Sequence, residues 1–176
     1  CLDHLQASEN LSLPQPDGRL RIGVVWSGNP EQQNDHNRSM GIEPLEVLFD
    51  SGLSLHVISL QYGSTVEALA PQSESLKALD ETWIKQVRDY ADTASLLRQM
   101  DRVITVDTSV AHLAGALGIE CWVLLTYIPD WRYGLEGEVT PWYPTMRLFR
   151  QASPGDWAGV MQRVVAALGV DQGKTS

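Results

Sequence analysis

Asp107, Thr108 and Ser109 stand where an apolar run gives way to a small-residue, helix-compatible stretch, in V-D-T-S-V-A-H-L-A-G-A-L-G from Val106 to Gly118. The amides of a helix's first turn have no acceptor inside the helix and carry partial positive charge, so such a turn binds phosphate oxygens. The Thr108 and Ser109 hydroxyls and the Val110 amide would serve as donors there, with His112 one turn further on. Asp107 and His112 are the candidates for a catalytic part within this chain. Ala111, Ala114, Gly115 and Gly118 would let the helix lie close on its sheet. The same residue types also cap helices everywhere, and His112 taken alone reads as a structural hydrogen-bonding histidine.

Three further polar segments carry candidate chemistry. Trp26 to Ser39, W-S-G-N-P-E-Q-Q-N-D-H-N-R-S, is long for a loop inside a compact domain. It offers Ser27, Gly28 and Asn29 for close backbone approach and Arg38 as a bidentate diphosphate partner. It lacks both G-x-G-x-x-G and G-x-x-x-x-G-K-[ST], which removes the main support for dinucleotide oxidoreductase and P-loop readings. In S-L-Q-Y-G-S-T-V-E, Glu67 is a candidate acceptor for ribose hydroxyls and Gln61 a neutral substitute. Asp92 and Thr93, in D-T-A, read as a capped helix start that would lie near a base. Trp131, Trp142 and Tyr143 would form a wall for a sugar or pack on a neighbouring domain, with packing the preferred reading.

The elements that must position these residues alternate. Apolar runs of strand length occur at Leu20 to Trp26, Leu55 to Leu60, Val103 to Val106, Cys121 to Leu125 and Met146 to Phe149, with a weakly signalled sixth at Trp83 to Val87. Helical patterns fall between and after them: Pro44 to Asp50, Thr65 to Ala70, Thr93 to Met100, Val110 to Leu117 and Asp156 to Leu168. Such alternation predicts an α/β, Rossmann-like, doubly wound and mainly parallel sheet, with ligands at the strand C-terminal ends. The expected divisions are a linker over 1–19, marked by Pro14, Pro16 and Gly18, one domain over 20–170, and a tail over 171–176. A first residue that is Cys rather than Met suggests a piece of a longer protein.

A net charge of −9 over 176 residues argues against a nucleic-acid or anionic-lipid partner, both of which need clustered Lys and Arg. It does not exclude a small phosphorylated ligand. Cys1 and Cys121 lie far apart, one in the polar start and one in an apolar run, so neither a structural disulfide nor a metal cluster is expected. No run approaches the roughly 18 to 20 apolar residues of a membrane span. A cytoplasmic location fits these features.

The motifs G-V-V-W-S-G-N-P, N-D-H-N-R-S, V-D-T-S-V-A-H-L-A-G-A-L-G, P-D-W-R and P-W-Y-P-T-M-R-L-F-R-Q, spread from Arg21 to Leu168, resemble the C-terminal domain of glycosyltransferase family 9, the heptosyltransferase-like enzymes. More closely, they resemble the region that follows tetratricopeptide repeats in bacterial repeat-containing glycosyltransferase proteins. The resemblance implies one half of a GT-B architecture that binds a nucleoside-diphosphate sugar. Asp107 to Val110 and His112 would hold the diphosphate, with no metal and no other cofactor. Inverting transfer would use a base on an N-terminal acceptor domain outside this chain. The family's usual Lys after the first strand is absent; Asn29 and Arg38 stand in that stretch, so ADP-heptose is not implied. A non-catalytic interaction module with a degenerate nucleotide site is the alternative, and a GT-B epimerase a third class.

Overall fold

The computed structural model describes residues 11–29, 31, 35–62 and 74–174. The expected helix at Thr65 to Ala70 lies outside them. In chain order the elements are β1 (Leu20–Val25), the single turn α1 (Asp35–Arg38), α2 (Glu46–Phe49) behind a 3-10 turn at Glu43–Leu45, β2 (Leu55–Ser59), and α3 (Tyr90–Leu97). There follow β3 (Arg102–Val106), α4 (Ser109–Ala116), β4 (Cys121–Leu125), β5 (Met146–Arg150) and α5 (Trp157–Lys174). The five strands form one sheet in the order β2-β1-β3-β4-β5, and every neighbouring pair is parallel. This is the expected Rossmann-like α/β fold.

Alternation along the strands explains why both faces are covered. Cys121, Val123 and Leu125 belong to one apolar cluster with Ala111, Ala114, Leu96 and Leu97 of α4 and α3. Trp122 and Leu124 point the other way, into a cluster with Leu48 of α2 and Val160, Met161 and Val164 of α5. The period of two thus divides each strand between two helical layers. All five residues of β3 and all five of β4 are buried, as befits central strands.

Several boundaries differ from expectation, each for a local reason. Trp83 to Val87 is not a strand but holds a 3-10 turn at Ile84–Gln86. Its buried apolar residues are Ile84 and Val87, three apart, which is the spacing of such a turn and not of a strand. α3 is capped by Asp89, whose carboxylate accepts from the amides of Ala91 and Asp92, so Asp92 lies inside the helix rather than at its start. Leu11 and Leu13, within the expected linker, are core residues. The Gln99 side chain ties down both flanks, accepting from the Leu13 amide at 2.7 Å and donating to the Leu11 carbonyl at 2.6 Å. The expected tail continues as α5. There Asp171 pairs with the nearly buried Arg102 at 3.1 Å, which also pairs with Glu120 at 2.7 Å and lies over the Trp122 ring.

Both the end and the packing of α4 are specified by glycines. Gly118, at φ 72°, closes the helix. The Gly118 amide donates to the Gly115 carbonyl and the Ile119 amide to the Ala114 carbonyl, the paired bonds of a Schellman turn. Gly115 lets Tyr143 and Met146 approach: a Cβ there would fall 2.6 Å from Tyr143 Cγ and 2.8 Å from Met146 Cε. Replacing Gly115 with Ala is therefore expected to lower the unfolding free energy by about 1–3 kcal/mol through overpacking, measured by urea denaturation. An unchanged midpoint would mean that Tyr143 moves aside freely.

Candidate functional site

The chain leaves β1 toward β2 on one side and continues from β3 toward β4 on the other. In a sheet of this order, such a reversal opens a crevice beyond the carboxyl ends of β1 and β3. A cleft of about 740 Å³ lies there. Its lining includes Val25 at the end of β1, Ser27 and Gly28 after it, Gln61 and Tyr62 after β2, Asp107 to Val110 and His112 around the start of α4, and Arg132 after β4.

The turn into α4 forms the floor. Thr108 is the N-cap residue, with extended backbone at φ −135° and ψ 171°, but its side chain makes no capping hydrogen bond. Its hydroxyl instead lies 3.0 Å from that of Thr105. The Ser109 and Val110 amides, which have no intrahelical acceptor, therefore stay at the cleft without a side-chain cap. α3 shows the contrast, its first amides being taken by Asp89.

One wall is the loop after β1, organised by the nearly buried Asp35. Its Oδ1 accepts from Arg38 Nε at 3.1 Å and from Ser39 Oγ at 2.9 Å, and Ser39 Oγ in turn accepts from the Gly28 amide at 2.8 Å. Gly28 has no room for a side chain: a Cβ would sit 2.5 Å from Asp35 Oδ1 and 2.6 Å from Arg38 Nη2. Arg38 is thus fixed through Nε and lines the cleft with Asn29.

The other wall is Arg132. Asp130 Oδ1 accepts its backbone amide at 3.0 Å and its Nε at 2.8 Å. That hydrogen bond holds the Asp130 carboxyl below its ordinary value and raises Arg132. Arg132 Nη1 lies 3.1 Å from His112 Nε2. A guanidinium only donates, so His112 must offer a lone pair at Nε2 and carry its proton on Nδ1. The imidazole pKa is lowered accordingly, first by burial and then by the Arg132 charge, against opposing effects of Asp107 and Asp130. Asp107 accepts from Tyr133 Oη at 2.8 Å and stands 3.8 Å from His112 and 3.9 Å from Arg132. Burial and the Asp107 charge push the Tyr133 phenol above its usual range.

Of the residues singled out in the sequence, Asn29, Arg38, Gln61, Asp107, Thr108, Ser109, Val110 and His112 line this one cleft. Gln61 lines the cleft but has its side-chain oxygen engaged within the fold. It is 2% exposed, and its Oε1 already accepts from the Trp26 and Ser27 amides at 3.2 and 2.9 Å, tying the end of β1 to that of β2. Asp92, also 2% exposed, accepts from the Arg88 amide at 3.0 Å, and Thr93 donates to the Asp89 carbonyl. Neither lines the cleft; the residue of that stretch that does is Tyr90. Glu67 lies outside the described residues. Sequence reasoning missed Asp35 and Arg132, although Asp130-x-Arg132 was a readable signal: an acidic cap two residues before the cation it holds.

A smaller hollow of about 190 Å³ adjoins the far side of His112 and Arg132, lined also by Trp131, Tyr133, Thr140, Trp142 and Tyr143. Among the described residues no group of three or more His, Cys, Asp or Glu side chains is placed to hold a metal ion. No helix among them is long and apolar enough to cross a membrane.

No family model matches the chain. It is 32% identical over 155 residues to Protein FlbA of Caulobacter vibrioides, an alignment covering 84% of this chain and 25% of that protein. The chain thus spans about a quarter of this relative's length. Among solved structures, the glycosyl transferase family 9 protein of Veillonella parvula DSM 2008 matches with a TM-score of 0.51 at 11% identity, over 77% of this chain and 36% of that one. Thermosulfurimonas dismutans KpsC, a beta Kdo 2,4 transferase, matches with a TM-score of 0.45 at 13% identity, over 64% of this chain and 36% of that one. The Veillonella match is a likeness of fold: this α/β domain has a glycosyltransferase-like, Rossmann-type architecture.

The lowered pKa of His112 carries a sign. Its folded value lies below the unfolded one near 6.5, so its contribution to stability is present above that pH and is lost as pH falls through the folded value. NMR titration of the ring is expected to give a midpoint below that of a free histidine, moved partly back up in Arg132→Gln. A wild-type midpoint at or above the free value would contradict the Arg132–His112 geometry.

Proposed function

We propose that the cleft holds the diphosphate of a nucleoside-diphosphate sugar, and that the chain is the donor-binding half of a GT-B glycosyltransferase whose acceptor site and general base lie on another domain. The single observation that supports this most is the α4 start, left without a side-chain cap at the point where the sheet order reverses, with a guanidinium on either side. Each guanidinium is held by a carboxylate through Nε, Arg38 by Asp35 and Arg132 by Asp130. The Nη groups of Arg38 then face phosphate oxygens, and those of Arg132 retain N–H groups beyond the one Nη1 gives to His112. Charge-assisted hydrogen bonds of this kind contribute about 1.5–3 kcal/mol each, and a helix start adds about 0.3–1 kcal/mol. As the glycosidic bond breaks, the same groups stabilise charge developing on the departing diphosphate without a metal ion.

The exposed Tyr62 and Tyr90 rings, both at the cleft, are the surfaces for the base. On this reading an acceptor-binding half lies outside this chain; the Veillonella match, which covers 36% of that protein's chain, is compatible with such an arrangement. The donor and that half are then the chain's partners, and a cytoplasmic location fits a nucleotide sugar.

Calorimetry with UDP, GDP, ADP and CDP tests this. At least one nucleotide should bind, and Arg38→Ala should weaken it by about tenfold or more. Binding should also tighten as pH falls toward 6, because a neighbouring phosphate raises the His112 pKa and couples proton uptake to binding. If the folded domain binds none of the four at millimolar concentration, the proposal fails. A docking module built on the exposed aromatic residues is then the better reading.

A further inference from the structure

We infer that the small hollow beside the cleft is the glycosyl subsite, where Trp142, Trp131 and Tyr143 receive the C–H face of the donor's pyranose ring. This rests on the diphosphate reading and adds the place and manner of sugar binding to it. The two hollows share His112 and Arg132. A sugar is joined directly to the terminal phosphate, so it must occupy space adjoining the phosphate site.

The sheet order says on which side that space lies. Along β2-β1-β3-β4-β5, the cleft residues run from Tyr62 after β2, through Gly28 after β1, to Thr108 after β3 and Arg132 after β4. A ligand with its diphosphate at Thr108 and its base against Tyr62 and Tyr90 therefore directs its sugar past Arg132, toward the aromatic hollow.

Within the wall of that hollow, Trp142 is held in place while its ring stays open to solvent, and Tyr143 is half-buried against the core. Trp142 is 58% exposed, yet its indole Nε1 donates to the Arg132 carbonyl at 3.1 Å and its amide to the buried Thr140 hydroxyl at 3.3 Å. Tyr143 is wedged against Gly115, and its ring centroid lies 5.8 Å from that of His112. Trp131 is 78% exposed. Ordering a large ring without burying it forgoes the hydrophobic return that usually offsets the lost freedom, which fits a surface prepared for a ligand. The lining combines the Trp131, Trp142 and Tyr143 rings, whose faces suit the C–H side of a pyranose, with His112, Arg132 and Thr140, whose polar groups suit its hydroxyls.

The test is calorimetry and indole fluorescence with UDP, GDP, ADP and CDP, each paired with its hexose ester: UDP-glucose, GDP-mannose, ADP-glucose and CDP-glucose. For the nucleotide that binds, the sugar nucleotide should alter indole emission where the bare diphosphate does not. Trp142→Ala and Trp131→Ala should each weaken the sugar nucleotide by roughly tenfold while leaving the bare diphosphate within about twofold. Trp142→Phe should restore most of the loss, and circular dichroism checks that each variant is folded. If the variants weaken both ligands equally or neither, or if no sugar nucleotide alters indole emission while its diphosphate binds, the subsite assignment is overturned and the diphosphate reading stands. If no nucleotide binds at all, both fall together.

Discussion

The amides at the start of α4 need acceptors that the helix cannot supply, and the cleft is arranged around that need. A capping side chain would normally meet it, contributing about 0.5–2 kcal/mol. α3 has such a cap in Asp89. At α4 the equivalent residue is Thr108, and its hydroxyl is turned to Thr105 instead. Asp107, the other nearby acceptor, is engaged by the buried Tyr133. The chain thus places suitable capping residues at this turn and directs them elsewhere, which leaves the donors without a side-chain cap; on the proposed reading an outside anion meets them.

An exposed helix start alone is a weak anion site, so the positions of the two guanidiniums decide the matter. Long cationic side chains lose freedom when they bind, and a carboxylate that fixes the guanidinium beforehand reduces that loss. Asp35 and Asp130 do this through Nε. The arrangement would also reconcile a net charge of −9 with the anionic ligand proposed for the cleft. Acidic residues beside the site fix cations in place, and short-range hydrogen bonds outweigh the screened field of the distant surface.

The sequence made the framework legible because burial on two faces writes itself as apolar runs. β1 to β5 all fall within the runs read from composition, give or take a residue or two. Errors arose where one residue type serves two purposes. Asp89 and Asp92 both precede helical residues, and only the backbone shows that the first is the cap and the second is buried against Arg88. Gln61 follows a strand as a ligand residue would, yet its oxygen ties two strands together. Leu11 and Leu13 were masked by the prolines and glycine after them, whose turn signals outweighed two isolated leucines. Arg132 stands beside Trp131, one of the three aromatics read as a sugar wall or packing surface, and, the cap at Asp130 aside, nothing in its local sequence sets it apart as a ligand residue. What identifies it is its bond to His112, 20 residues away, and no periodicity reports a contact of that range.

The site also separates grip from choice. Its centre consists of backbone amides and two guanidiniums, groups that on the proposed reading would hold a diphosphate whatever is attached to it. The flanks differ in kind: Tyr62 and Tyr90 on the side of β2 and α3, Trp131 and Trp142 on the side of β4 and β5, all of them exposed rings on connecting segments or at a helix start. Substitutions at those positions alter what is stacked without disturbing the sheet, because their side chains contribute little to either core cluster. Substitutions at Gly28, Asp35 or Thr105 would disturb the centre itself. On the proposed reading, specificity for base and sugar is set by residues the fold tolerates changing, while diphosphate affinity is set by those it does not.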